Sequence, residues 1–163
     1  MIVVADTTPL NYLVLIQHED LLPRLFGRVL IPPAVSAELQ DRETPHPVRL
    51  WLAQSPFWLQ VQPLRSQPDQ GLDYLDPGER EAIAPAEELK ADQILLDEAE
   101  ARQEAARRKL PFIGTLGVLR RAAQLDLINL PSALARLQQT TFYVDPELIR
   151  SLLDEDAQRR NRR

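Results

Sequence analysis

Short apolar runs that end on polar or turn residues recur along the chain and predict the strands of a sheet. Residues 2–5 form a β-branched run that stops at Asp6, and residues 94–96 form another that stops at Asp97. Apolar runs of this length are typical of strands that are covered on both faces. Three further short strands are predicted at residues 28–31, 58–61 and 111–114.

Helical patterns fill the intervals between these strands. The sequence Asp76-Pro77-Gly78-Glu79 predicts a helix start, with Asp76 as N-cap, Pro77 as first residue and Glu79 completing a capping box. Pro85 lies inside this helix and is expected to kink it. Because strands and helices alternate, we expect a parallel sheet flanked by helices. The other helices are predicted near residues 9–17, 21–26, 34–39, 48–53, 99–109, 118–125, 132–138 and 145–156.

Four carboxylates share one placement in this pattern. Asp6 and Asp97 end strands, Glu79 lies in the first turn of a helix, and Glu38 lies about one turn into another. Strand C-termini and the N-termini of the following helices meet at one edge of such a sheet, so the four acids are expected to converge. Clustered carboxylates repel one another unless cations bind them, and magnesium or manganese held this way can activate water for phosphodiester hydrolysis.

Each acid also has a purely structural interpretation. Asp6 can cap the helix that follows it, with Thr7 or Thr8 as alternative caps before Pro9. Glu79 is explained by its capping box and Glu38 by a solvated helix face. Asp97 is the stronger candidate because it ends an apolar strand as Asp6 does. The neighbouring acids are interpreted as surface charge: Asp76, Glu81, Glu87, Glu88, Glu98 and Glu100.

The amino-acid composition excludes several kinds of functional site. The chain has 163 residues, 44% of them hydrophobic and 26% charged, which suits one globular domain. It has no cysteine and only two histidines, which excludes disulfides and a cysteine nucleophile and disfavours a histidine-rich zinc site. The N-terminal apolar run is broken by Asp6, so we expect neither a signal peptide nor a membrane span, and a cytoplasmic location.

Five segments, in this order and spacing, carry a resemblance to a known family. They are residues 3–10, 31–39, 75–84, 95–102 and 113–119. Together they resemble PIN-domain proteins of the branch typified by uncharacterised VapC-like toxins, the DUF3368 type, over roughly residues 1–130. The resemblance implies a PIN-like three-layer α/β/α fold with a central parallel sheet of about four to five strands. We expect a nuclease domain at residues 1–145, followed by a C-terminal helix and basic tail at residues 146–163.

The resemblance also implies a function, that of a Mg²⁺- or Mn²⁺-dependent endoribonuclease. The acidic quartet falls on residues that the strand ends and helix starts also single out: Asp6, Glu38, Glu79 and Asp97. Thr7 or Thr8 would support Asp6, Thr115 would line the same edge, and Arg102 would bind substrate. Many such proteins are toxins that form homodimers and are held by a small antitoxin. The sequence departs from the family pattern at Pro85 and at Glu98, where an apolar residue and a second Asp are usual.

The charge balance narrows the substrate. A formal net charge of −5 disfavours a broad basic face for duplex nucleic acid, so we expect single-stranded RNA bound at a local site. The candidate contacts lie on the two helices after the last acid: Arg102, Arg107, Arg108, Arg120 and Arg121. The arginine-rich tail at residues 159–163 is expected to be frayed and to add nonspecific attraction or to contact a partner.

Two other functions remain open. An enzyme that forms an aspartyl phosphate on Asp6 would need a second acid two residues later, where Thr8 stands. A non-catalytic RNA-binding or interaction module of the same fold is the other alternative, although the presence of all four acids argues against it. A dinucleotide-binding protein is disfavoured because the chain has no G-x-G-x-x-G sequence.

Overall fold

A five-stranded parallel sheet organises the chain, in a computed structural model that describes residues 1–54 and 56–162. The strand order is β3-β2-β1-β4-β5. The strands are β1 (Val3–Ala5), β2 (Val29–Ile31), β3 (Leu59–Val61), β4 (Gln93–Leu95) and β5 (Phe112–Ile113). The predicted α/β class, parallel sheet and three-layer arrangement are therefore confirmed.

The helices occupy the intervals between strands and continue after the last strand. They are α1 (Thr7–Leu15), α2 (Leu21–Phe26), α3 (Pro33–Leu39), α4 (His46–Ala53), α5 (Pro77–Glu88), α6 (Ala99–Arg107), α7 (Thr115–Gln124), α8 (Leu130–Gln138) and α9 (Pro146–Asn161). None of the helices in the part of the chain that the structure describes has the length and apolar character needed to cross a bilayer.

Strand β1 lies at the point where the strand order reverses direction. Val4 pairs with Leu30 of β2 on one side and with Ile94 of β4 on the other, both in parallel register. In open α/β sheets, ligands bind outside the carboxyl ends of the strands at such a point. The β1 residues Val3–Ala5 are fully buried, as expected for a strand covered on both faces.

The chain packs as two compact units, residues 1–115 and 116–163. The first unit holds the sheet and a core in which Ile83 of α5, Ile94 of β4 and Ala105 of α6 are fully buried. In the second unit α8 packs against α9, and Leu134 and Leu152 are buried. The domain boundary expected after residue 145 stays a prediction, because packing units need not be domains.

Several element boundaries differ from the predicted ones. Helix α1 begins at Thr7 instead of Pro9, because Asp6 and not a threonine occupies the N-cap position. Helix α7 begins at Thr115, three residues earlier than predicted. Helix α5 continues past Pro85 to Glu88, so Pro85 does not end the helix, and the kink expected there stays a prediction.

The C-terminal arginines also differ from expectation. Helix α9 continues to Asn161, so the first part of the tail is helical and not frayed. Its last turns are held by ion pairs, since Arg159 lies 2.9 Å from Asp126 and 2.8 Å from Asp156. The pair of Arg159 with Asp156 joins residues three positions apart, a spacing at which oppositely charged side chains stabilise a helix. Arg163 lies outside the described residues.

Candidate active site

The carboxyl ends of β1 and β4 bring two of the predicted acids to one edge of the sheet. Asp6 follows β1 directly, and its backbone N–H donates to the Leu95 carbonyl of β4 at 3.0 Å. Asp97 lies two residues beyond the end of β4. The two carboxylates are close enough that the negative charge of Asp97 raises the pKa of Asp6.

Asp6 is a buried carboxylate that does not serve as a helix cap. Its side chain is 3% exposed, and it forms no capping hydrogen bond although it occupies the N-cap position of α1. Its Oδ1 atom is buried without a hydrogen-bond partner among the described residues. Burial raises the pKa of Asp6 to about 7, the Thr7 backbone lowers it, and the charges of Asp76 and Glu38 raise it further.

Glu38 approaches Asp6 across the first turn of α5. It is the second-last residue of α3, just over one turn into the helix, and its Oε2 accepts a hydrogen bond from Thr7 Oγ1. A Cβ atom on Gly78 would lie 2.6 Å from Glu38 Oε1 and 2.9 Å from Asp6 Oδ1. Both carboxylates therefore press against the same backbone position, which only glycine leaves open. Burial raises the pKa of Glu38.

Glu79 belongs both to a helix cap and to the acidic edge. The capping box is formed as predicted, since Asp76 N donates to Glu79 Oε1 at 3.3 Å and Glu79 N to Asp76 Oδ1 at 2.9 Å. Its other oxygen, Oε2, is buried without a partner among the described residues. Burial, the hydrogen bond with Asp76 and the charges of Asp76 and Asp6 raise the pKa of Glu79 to about 8. The cap therefore uses one oxygen and leaves the other available.

Asp97 is fixed by the turn between β5 and α7. Thr115 donates twice, from its backbone N to Asp97 Oδ1 at 2.8 Å and from Oγ1 to Oδ2 at 2.7 Å. A Cβ atom on Gly114 would lie 2.6 Å from Asp97 Oδ1, so the backbone approaches the carboxylate closely. Burial raises the pKa of Asp97, and Thr115 and the charge of Arg102 lower it. Thr115 thus lines the edge as predicted.

The predicted support of Asp6 by Thr7 or Thr8 comes through the Thr7 backbone and not through a hydroxyl. The Thr7 hydroxyl donates to Glu38, and only the Thr7 backbone acts on Asp6. No hydrogen bond joins Thr8 to any of the four acids within residues 1–54 and 56–162. Helix α1 starts directly after the strand, which turns the Thr7 side chain towards α3 and leaves Thr8 on another side of the helix.

The sequence pattern missed Asp76 as a member of this group. Asp76 is exposed, as expected for a surface charge, but its negative charge also raises the pKa of Asp6, Glu38 and Glu79. Its position as N-cap of the helix that carries Glu79 was the signal that could have found it.

Of the arginines that follow Asp97, Arg102 stays near the acids. Its Cζ atom lies 5.0 Å from the centroid of the Phe112 ring, and its charge lowers the pKa of Asp97. Other predicted RNA contacts are ion-paired instead. Arg107 and Arg108 bind the buried Glu104, each at 3.0 Å, and Arg120 binds Glu155 at 2.7 Å.

The four acids provide oxygen ligands for a metal ion but do not surround a single binding position. Within the described residues, no three acidic or histidine side chains are gathered tightly enough to hold one metal ion. Magnesium is usually bound by one or two carboxylates and keeps several waters, so pairs of acids are sufficient for it. The unpartnered buried oxygens of Asp6 and Glu79 are hard donors of the type that Mg²⁺ and Mn²⁺ prefer. The residues present therefore fit such an ion.

Comparisons with known proteins agree with this architecture. The chain is similar in structure to a PilT N-terminus domain protein, SSO1118, from the hyperthermophilic archaeon Sulfolobus solfataricus P2. The TM-score is 0.51 at 15% sequence identity, over 89% of this chain and 100% of that chain, which shows a shared fold. A comparison with curated proteins gave no significant match. The family described as "DUF3368: PIN domain" matches residues 2–158. With nearly its whole length covered by that match, the chain belongs to this PIN-domain family.

Proposed function

We propose that this protein is a Mg²⁺- or Mn²⁺-dependent endoribonuclease that cleaves single-stranded RNA. PIN domains are generally nucleases and typically use divalent metals, which supports the reaction class. The observation that carries the proposal is the buried Asp6 Oδ1, which has no partner among the described residues and faces the same point as Glu38. A carboxylate oxygen in such a place is costly unless a cation binds it.

Pairs drawn from the four acids would supply the ligands of the metal: Asp6, Glu38, Glu79 and Asp97. When bound, a divalent ion supplies Lewis-acid chemistry, lowering the pKa of water and stabilising the leaving oxygen of a phosphodiester. The protein positions the ligands. Two hydrogen bonds from Thr115 fix the Asp97 carboxylate, and the Thr7 hydroxyl fixes Glu38. Because its pKa is about 7, Asp6 is partly protonated at neutral pH, and cation binding must displace that proton.

The decisive experiment removes one acid at a time. Asp6→Asn and Asp97→Asn should each abolish cleavage of single-stranded RNA in Mn²⁺ or Mg²⁺ and weaken metal binding measured by calorimetry. Asp20→Asn is the matched control, because Asp20 is an exposed N-cap residue of α2 that makes no capping hydrogen bond. Full activity in excess chelator would contradict the proposal. RNA binding without cleavage by the unaltered protein would instead indicate a non-catalytic module.

We further propose that the protein acts as the toxin of a toxin–antitoxin pair, as a homodimer bound by a small antitoxin in the cytoplasm. The resemblance to VapC-like toxins supports this. Its expression in a bacterial host should arrest growth, and Asp97→Asn should not, since the proposed toxicity is cleavage. Light scattering of the purified protein measures the oligomeric state. Normal growth at high expression of an active nuclease would contradict the toxin role without affecting the proposed activity.

A further inference from the structure

Arg102 and Phe112 form a cation–π pair beside the acidic edge. Arg102 lies on α6, which follows Asp97, and its guanidinium lies over the Phe112 ring with Cζ 5.0 Å from the ring centroid. Phe112 lies on β5, directly beside β4, where it pairs in register with Ile94. The charge of Arg102 is close enough to Asp97 to lower the pKa of that carboxyl. The pair therefore adjoins the residue that ends β4.

The aromatic ring, and not a carboxylate, holds this guanidinium. Phe112 is half-buried and packs against the hydrophobic core, so its ring is anchored. Arg102 is exposed and forms no ion pair within the part of the chain that the structure describes. Arg107 at the end of the same helix and Arg108 after it are instead ion-paired, both with Glu104 and Arg108 also with Glu87 and Asp69. The positive charge and the outer face of the Arg102 guanidinium thus remain available to a ligand.

We propose that the Arg102 guanidinium, supported by Phe112, is a nucleobase subsite that stacks an unpaired base of the RNA next to the acidic edge. This inference rests on the proposed function and names how that site recognises its substrate. Planar guanidinium groups stack on the faces of unpaired bases, which duplex RNA does not present. Phe112 is a positioning residue, because it holds the guanidinium and does not itself contact the base. The subsite gives a reason for selecting single strands that net charge alone does not.

The test compares two probes of equal charge. The first is an eight-nucleotide oligoadenylate, and the second is a ribose-phosphate chain of equal length without bases. Binding is measured by fluorescence anisotropy in chelator at low ionic strength, so that metal-dependent cleavage does not interfere. The unaltered protein should bind oligoadenylate at least roughly fivefold more tightly, which is the lower range for stacking one base.

The variants separate stacking from charge. Arg102→Lys keeps the positive charge but removes the planar guanidinium group. Phe112→Leu keeps an apolar side chain but removes the aromatic ring. Each should bind the two probes equally, whereas Phe112→Tyr should retain the preference. Arg107→Gln is the matched control, because it removes one arginine from the same helix and should leave the ratio of the two affinities unchanged. Circular dichroism confirms that each variant is folded.

The outcomes distinguish this inference from the nuclease proposal. Equal binding of both probes by the unaltered protein, no binding of oligoadenylate, or a preference retained by Arg102→Lys would overturn the subsite. Cleavage is assayed separately in Mn²⁺. A base preference lost in Arg102→Lys, together with no cleavage in Mn²⁺, would support the subsite and reject the nuclease. Cleavage without any base preference would do the reverse.

Discussion

Buried acids at single positions set how the stability of the metal-free protein depends on pH. Burial raises the pKa of Asp6 to about 7 and that of Glu79 to about 8, well above the values of an unfolded chain. Between about pH 4.5 and 8 the folded state therefore binds more protons than the unfolded state, and the free energy of unfolding falls as pH rises. Each fully titrating group contributes about 1.4 kcal/mol per pH unit. We expect urea midpoints in chelator to decrease from pH 5 to pH 8.

Two changes should flatten this dependence. Asp6→Asn removes the proton-binding group, and excess Mn²⁺ replaces the proton with a cation. Groups with lowered pKa values, such as Glu104 and Glu155, lose their stabilising effect only as pH falls below about 4.5, so they do not affect this window. A urea midpoint that rises from pH 5 to pH 8 in chelator would show that the acids are not desolvated as the structure indicates.

Gly78 gives a second prediction at the level of one residue. In Gly78→Ala the new Cβ would meet Glu38 Oε1 at 2.6 Å and Asp6 Oδ1 at 2.9 Å. Both neighbours are ends of side chains that can move, and alanine favours a helix by about 1 kcal/mol, so the fold should be kept. The displaced carboxylates should lower metal-dependent cleavage about 10²-fold, the loss expected for a 1 Å misplacement.

The control for this change is Gly71→Ala. Its Cβ would meet the flexible end of Arg108 at 3.3 Å, far from contact with the four acids. Calorimetric titration with Mn²⁺ and cleavage assays on both variants make the comparison. Unchanged metal affinity in Gly78→Ala would show that the close approach of the carboxylates to α5 has no role in binding.

At the level of elements, the start of α5 couples helix capping to the acidic edge. Asp76 caps the helix through a 2.9 Å bond from Glu79 N, and its charge also raises the pKa of three acids. Asp76→Ser keeps a capping hydroxyl and removes the charge, whereas Asp76→Ala removes both. We expect the serine variant to exceed the alanine variant by about 1 kcal/mol in free energy of unfolding, the usual value of an N-cap. Urea titration at pH 8 measures the difference.

The pH dependence serves as the control for this pair. Both substitutions remove the same charge, so both should weaken the fall in stability from pH 5 to pH 8 by a similar amount. Equal stability of the two variants would mean that the capping bond contributes nothing, and that Asp76 acts only through its charge.

The elements also show how far sequence patterns reach. The capping box of α5 follows from local rules, because Asp76, Pro77 and Glu79 each satisfy a backbone requirement of the first turn. The start of α1 could not be predicted from local rules, because Asp6, Thr7 and Thr8 are all good N-cap residues and tertiary packing decides among them. At the end of α9, the local pair of Arg159 with Asp156 could be predicted from spacing, but the pair of Arg159 with Asp126, a partner distant in sequence, could not.

In the candidate site, too, some features could be predicted from the sequence and others depend on tertiary packing. The positions of Asp6 and Asp97 after two predicted strands predicted that both lie at one edge of the sheet, because the carboxyl ends of parallel strands lie at the same edge. It could not predict that Thr7 would bond to Glu38, since the orientation of α1 relative to α3 is a matter of packing. The ion pairing of Arg107 and Arg108 with Glu104 follows from local spacing instead, because the residues are three and four positions apart on a predicted helix.

For the whole molecule, charge distribution limits how RNA can be bound. The formal net charge is −5, and several arginines are neutralised by ion pairs with acids. Because Arg107, Arg108 and Arg120 are ion-paired, few of the candidate RNA contacts that follow Asp97 remain to displace counterions from RNA. The affinity for single-stranded RNA should depend weakly on salt, with a slope of log affinity against log salt of roughly −0.7 to −1.5, corresponding to about one or two phosphates.

Because the Arg102 guanidinium keeps its positive charge while it stacks on a base, we expect it also to neutralise one of these phosphates. Arg102→Gln should reduce the slope by about 0.7, while Arg107→Gln, which removes an arginine that is ion-paired with Glu104, should leave it nearly unchanged. The measurement is fluorescence anisotropy in chelator over a series of KCl concentrations, with single-stranded and duplex RNA of equal length. Duplex RNA should bind more weakly at every salt concentration, because an A-form helix presents its phosphates along an extended surface that this acidic protein does not match. A slope steeper than about −4, or tighter binding of duplex, would reveal a broad basic surface and reject the local site from which the substrate class was inferred.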